Sequence, residues 1–151
     1  MFKRVLAVGL LLISLVGIFG CTSVDSSKTP ASIRYVREAE IAATWQMKQI
    51  ELNFKSDMSV TLELAAGDKV DGYFYVTTTE GVNFTISGLS QLYSSEQGVM
   101  SDRFSFTASQ PQGIDYKLKF TATGSEDKDT IVFLEIIYPK TGEVLVPLGT
   151  K

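Results

Sequence analysis

From Trp45 onward, apolar and polar residues alternate with a period of two. Ile50, Leu52 and Phe54 interleave with Glu51, Asn53 and Lys55, and Val60, Leu62 and Leu64 with Thr61, Glu63 and Ala65. Successive side chains of a strand point to opposite faces, so each run predicts a strand with one face in a core. The pattern returns in Val70, Gly72, Phe74 and Val76 after the turn Ala66-Gly67-Asp68, and in Val82, Phe84 and Ile86 after Glu80-Gly81. It recurs in Phe104 and Phe106 after Ser101-Asp102-Arg103, and in Tyr116, Leu118 and Phe120 after Gln112-Gly113. The last run, Thr130 to Tyr138, is apolar on both faces: Val132, Leu134, Ile136 and Tyr138 on one, Ile131, Phe133 and Ile137 on the other, broken only by Glu135. Such a strand is expected to be buried on both sides. Residues 33–44 or the tail Val144-Leu145-Val146-Pro147-Leu148 are placed to cover its outer side; uncovered, that side would mark a partner site. Seven short strands with turn signals between them predict an all-β protein, an antiparallel β-sandwich of jelly-roll-like kind spanning residues 45–138.

The first 44 residues follow other rules. Met1-Phe2-Lys3-Arg4 is a basic start, and Val5 to Gly20 carries no charge. Sixteen uncharged residues are short for a membrane span, which takes about 20, but they fit the apolar region of a secretory signal. Ile18-Phe19-Gly20-Cys21 resembles the bacterial lipoprotein signal, in which an aliphatic and a small residue precede the cysteine. That resemblance implies cleavage after residue 20, a diacylglyceryl group on the Cys21 sulfur and acylation (palmitate-type) of the new amino terminus. Two or more acyl chains anchor stably where one does not. The expected address is the cell envelope, on the outer face of the cytoplasmic membrane or on the outer membrane. Thr22 to Ser32 (TSVDSSKTPAS) is rich in Ser and Thr and reads as a flexible tether. Residues 33–44 are ambiguous: Ser32 could cap a short helix carrying Ile33 and Val36 on one side, or the segment is an extended lead-in. The division expected is thus a signal over 1–20, a lipidated Cys21, tether and lead-in over 21–44, the sandwich over 45–138 and a tail over 139–151.

Within the sandwich, Ala66 to Thr77 (AGDKVDGYFYVT), Val82 to Gly88 (VNFTISG), Ser101 to Ala108 (SDRFSFTA) and Tyr116 to Tyr138 together resemble a GOLD domain. This is the β-sandwich module of eukaryotic membrane-trafficking proteins, with relatives in bacterial and archaeal envelope proteins. An accessory module of the prepeptidase C-terminal type would look alike at this level. In the trafficking proteins the sandwich precedes a coiled coil and a transmembrane helix, and neither reads in residues 139–151. The resemblance therefore implies a role class and not cargo selection: a non-catalytic module that binds proteins or lipids at a membrane.

Composition narrows the chemistry. The 151 residues include no histidine and one cysteine, which excludes Ser-His-Asp and Cys-His catalysis, His-ligated metals and an internal disulfide. Losing residues 1–20 removes Lys3 and Arg4 and no acidic group, so 12 basic residues then face 17 acidic ones and the net charge moves from −3 to −5. That balance argues against a nucleic-acid partner. Glu126-Asp127-Lys128-Asp129 lacks the ligand spacing of a calcium loop and reads as a solvated turn. Asp68, Asp71 and Asp102 carry no mark of a facing carboxylate pair, and no Gly-x-Ser-x-Gly occurs. No catalytic, metal or cofactor residue is expected, and a small hydrolase is the weakest reading. What stands out is a pair on the other face of a core strand: with Phe74 and Val76 inward, Tyr73 and Tyr75 point outward together. Such tyrosines either cover a sheet face, anchor a protein partner or stack on a glycan.

Overall fold

The computed structural model describes residues 31–109, 111 and 113–146. The signal, Cys21 and the tether up to residue 30 lie outside the described residues. Ten strands follow in order: β1 (Ser32–Ala42), β2 (Trp45–Phe54), β3 (Asp57–Glu63), β4 (Lys69–Val76), β5 (Val82–Ser87), β6 (Gln91–Ser94), β7 (Ser101–Thr107), β8 (Tyr116–Ala122), β9 (Thr130–Pro139) and β10 (Glu143–Leu145). They form two five-stranded sheets, ordered β1-β2-β9-β4-β7 and β10-β3-β8-β5-β6, in which every pairing is antiparallel. The all-β, antiparallel sandwich expected from the alternation is what the chain forms.

The inward faces are the alternating residues. Ile50, Leu52, Val60, Leu62, Val70, Phe74, Val82, Phe84, Leu118, Phe120, Val132 and Ile136 have no solvent exposure, and Phe54, Ile86, Tyr116 and Leu134 have 1%. Phe84 sits at the aromatic centre, 4.8 Å from Phe120, 4.9 Å from Phe74 and 5.1 Å from Phe104 between ring centroids. Gly72 joins the inward set because the Phe104 ring, directly opposite on β7, fills the space its side chain would take. The β6 and β7 edges are tied where the Tyr93 hydroxyl donates to Asp102 Oδ2 at 2.5 Å.

That hydrogen bond, and then burial, pushes the Tyr93 phenol up to about 12. An acid whose pKa rises on folding stabilises the fold below its unfolded pKa, near 10.0, and loses that contribution as pH climbs through about 12. We expect Tyr93→Phe to lower stability by about 1 kcal/mol at neutral pH, the net value of one such hydrogen bond. Urea midpoints of the two proteins should converge between pH 10 and 12. A gap that persists unchanged through that window would refute the assignment.

Three expectations change. Residues 33–44 form no helix: β1 occupies most of them and pairs along β2 from Ser32↔Asn53 to Ala42↔Trp45. Hydrogen bonding to a ready-made strand outweighs a weak helical preference. The described part of the tail, residues 144–146, does not lie across β9 either, and Pro147 and Leu148 lie outside the described residues. Val144 faces the core from β10, which edges the other sheet beside β3. Among the described residues only Val36 of these two segments reaches the outer side of β9, and Ile131, Phe133 and Ile137 are half-buried, not buried. The sandwich accordingly extends beyond 45–138 at both ends, taking in β1 and β10.

Candidate functional site

The outward faces of the two sheets differ in kind. On the β10-β3-β8-β5-β6 sheet, Ser59, Thr61, Asn83, Thr85, Lys117, Lys119 and Thr121 point out, the small polar and charged surface expected of a wet sheet face. On the other sheet the outward rows are set by register. One reads Arg34, Glu51, Phe133, Tyr75 and Ser101 across the five strands, and the next Arg37, Gln49, Glu135, Tyr73 and Arg103. A third contains Met47, Ile137 and Asp71.

Tyr73 and Tyr75 emerge as the alternation requires. Phe74 and Val76 are buried, Tyr75 is 42% exposed, and Tyr73 is half-buried. Their rings lie 6.2 Å apart and tilted by 33°. Strand pairing adds what sequence did not. Tyr75 is directly opposite Phe133 on β9, and the two rings stack at 5.1 Å with an interplanar angle of 11°. Tyr73 is opposite Arg103 on β7, whose guanidinium lies over its ring at 5.3 Å. Between the tyrosines and β2 runs an open groove of about 250 Å³, lined by Val36, Gln49, Tyr73, Tyr75, Phe133, Leu134 and Glu135. Val36 reaches it because a bulge between Tyr35 and Arg37 inserts one extra residue in β1. In the groove Gln49 Nε2 donates to Glu135 Oε2 at 2.6 Å.

A second concavity, of about 270 Å³, lies at the far end of β1 and β2. Its charges are mutually satisfied: Lys48 pairs with Glu38 at 3.0 Å, and Lys140 with Glu40. Burial works against the Lys48 charge, but the Glu38 hydrogen bond and neighbouring Tyr138 and Glu38 outweigh it and hold the ammonium above its usual pKa. The Tyr138 phenol beside it is raised chiefly by burial.

The carboxylates singled out from the sequence do not converge. Asp68 Oδ2 accepts from the Ala65 amide and closes its own turn. Asp102 is the partner of Tyr93. Asp71 points outward, held below the usual carboxylate range by Ser105 and by Lys69 at 3.3 Å. At the acidic turn Lys128 bridges to Glu80 at 3.3 Å, and no cluster of three candidate metal ligands occurs among the described residues. Asn83, the first residue of an Asn-Phe-Thr sequon, accepts from the Gly98 amide with its side-chain oxygen at 3.0 Å. The face of β4 and β9 is thus where aromatic, cationic and anionic side chains meet. Gln49, Arg103 and Val36 belong to it without any individual sequence signal, because only strand order brings them beside the tyrosines. Compared with known proteins, the chain matches no family model and no curated protein.

Proposed function

We propose that this chain is a lipid-anchored, GOLD-like binding module of the cell envelope that takes up a protein partner on the outer face of the β1-β2-β9-β4-β7 sheet. The observation that carries the reading is the asymmetry of the two sheets: the outer face of β3, β8 and β5 is polar and charged, with Leu145 and Leu92 only on its edge strands, while the other sheet gathers Tyr73, Tyr75 and Phe133 with Arg103 beside them. Tyrosine and arginine set in an apolar patch are the residues that dominate binding energy at protein interfaces. A glycan-binding role, the alternative for the same tyrosines, draws less support. Sugars stack on open ring faces, and here one face of Tyr75 lies on Phe133 and one of Tyr73 under Arg103. The anchor rests on the Ile18-Phe19-Gly20-Cys21 sequence. It places the domain where an acidic body of net charge −5 would not adsorb by itself to anionic lipid.

One experiment addresses anchor and face together. Intact cells expressing the full chain are cross-linked, fractionated and the chain recovered. Cys21→Ser should move the protein out of the membrane fraction, and the Tyr73→Ala/Tyr75→Ala double variant should stay in the membrane but lose at least tenfold of its cross-linked partner. A Cys21→Ser protein that stays in the membrane overturns the anchor; undiminished cross-linking of the tyrosine variant overturns the face.

A further inference from the structure

Glu135 is the odd residue of the aromatic face. It lies on β9, the middle strand of five, and its outward neighbours along the strand are Phe133 and Ile137. Across the sheet it sits between Tyr73 and Gln49. The residue is half-buried, yet it has no ion-pair partner among the described residues, and its hydrogen bond comes from the neutral Gln49 amide to one oxygen. Two other partly buried carboxylates of the same sheet have found partners: Asp71 has Lys69 and Ser105, and Asp102 has Tyr93. A partly desolvated carboxylate without a counter-ion costs stability, so its place in the middle of an apolar face asks for a ligand.

We infer that the groove receives a positively charged side chain of the protein partner, a lysine ammonium or arginine guanidinium, with Glu135 as its counter-ion. This rests on the reading of the face as a protein-binding surface and specifies the partner's chemistry. The groove offers what a cationic side chain needs: a carboxylate whose second oxygen accepts no hydrogen bond from a described residue, and apolar walls of Tyr73, Tyr75 and Phe133 for the aliphatic stem. Tyr73 already demonstrates the compatibility, since Arg103 covers it from the β7 side while the groove lies on its β9 side. Removing water from around the pair on docking strengthens the attraction, and the net charge of −5 steers basic partners toward the domain.

The test uses the full chain in non-ionic detergent micelles, followed by amide NMR during titration with blocked Gly-Lys-Gly, Gly-Arg-Gly and Gly-Gln-Gly peptides. The lysine and arginine peptides should produce saturable shifts at residues 73–75 and 133–135, and the glutamine peptide none. Glu135→Gln keeps the shape of the side chain and relieves an unpaired charge. It should therefore unfold at the same or a higher temperature while weakening lysine-peptide binding at least tenfold. Equal responses to all three peptides, undiminished binding by Glu135→Gln, or shifts centred on residues 126–129 would each overturn the inference. The two readings fail separately. If Glu135→Gln leaves partner cross-linking intact while Tyr73→Ala/Tyr75→Ala abolishes it, the face stands and the cation does not.

Discussion

Phe84→Ala should cost about 3–5 kcal/mol of stability, the range for truncating a fully buried phenylalanine. Among the described residues this ring has the most aromatic neighbours, four. It has no exposure, and it touches aromatic neighbours from both sheets: Phe120 on its own, Phe74 and Phe104 on the other, with Tyr93 at 5.9 Å. Deleting it removes the buried ring and leaves a cavity that four other aromatic rings cannot close without leaving their rotamers. Its backbone will not compensate, because the Phe84 amide donates to Ser95 Oγ at 3.0 Å and its carbonyl accepts from the Ser95 amide at 2.9 Å. Domains of this kind have total stabilities of about 5–15 kcal/mol, so the variant should be near the edge of folding. Urea denaturation of Phe84→Ala and Phe84→Leu checks the claim. Phe84→Leu refills part of the volume and should recover about half of the loss. Equal midpoints for Phe84→Ala and the unsubstituted protein would show that the aromatic cluster does not organise the core.

The same cluster shows why so much of the sandwich was legible. Strands β2, β3, β4, β5, β8 and β9 each put three or more apolar residues on one face at spacing two, and all of these point inward. Orientation follows from that alternation alone, which is why Tyr73 and Tyr75 could be placed outside before any partner strand was known. The strands that were missed lack it for identifiable reasons. In β1 the bulge at Val36 interrupts the alternation, and the remaining Ile33 and Val36 mimic a helical spacing of three. In β6 another irregularity falls between its pairings with Ile86 and Ser87, and Tyr93 alone packs on the core. β10 has three residues, too few for a period. The candidate site was half legible for a similar reason. Its tyrosines follow from local pattern, but Gln49, Glu135 and Arg103 converge on them only through the order β2-β9-β4-β7. That order joins strands far apart in sequence, and no local pattern encodes it.

Gly81→Ala should be strongly damaging for a single methyl, at about 2–4 kcal/mol, combining overpacking with strained backbone hydrogen bonds. In the sequence Glu80-Gly81 reads as an ordinary turn signal. In the fold Gly81 is buried, and its special feature is the closeness of another backbone, not its own dihedral angles. A Cβ there would lie 2.2 Å from the Gly98 carbonyl oxygen and 2.4 Å from its carbon. Neither strand of chain can retreat cheaply. Val82 and Val99 exchange both backbone hydrogen bonds at 3.0 Å, and the Gly81 carbonyl accepts from Thr123 Oγ1 at 2.7 Å. Gly98 itself holds a φ of 67°, in the left-handed region, and its amide is bound to Asn83 Oδ1. Gly72→Ala provides the control. Its Cβ would also arrive too close, 2.1 Å from Phe104 Cζ, but the obstacle there is the tip of a side chain that can tilt. The expected order in urea is therefore Gly81→Ala less stable than Gly72→Ala, with both below the unsubstituted protein. If Gly81→Ala proves the milder of the two, the approach of residues 98–99 to residue 81 is not a fixed part of the fold.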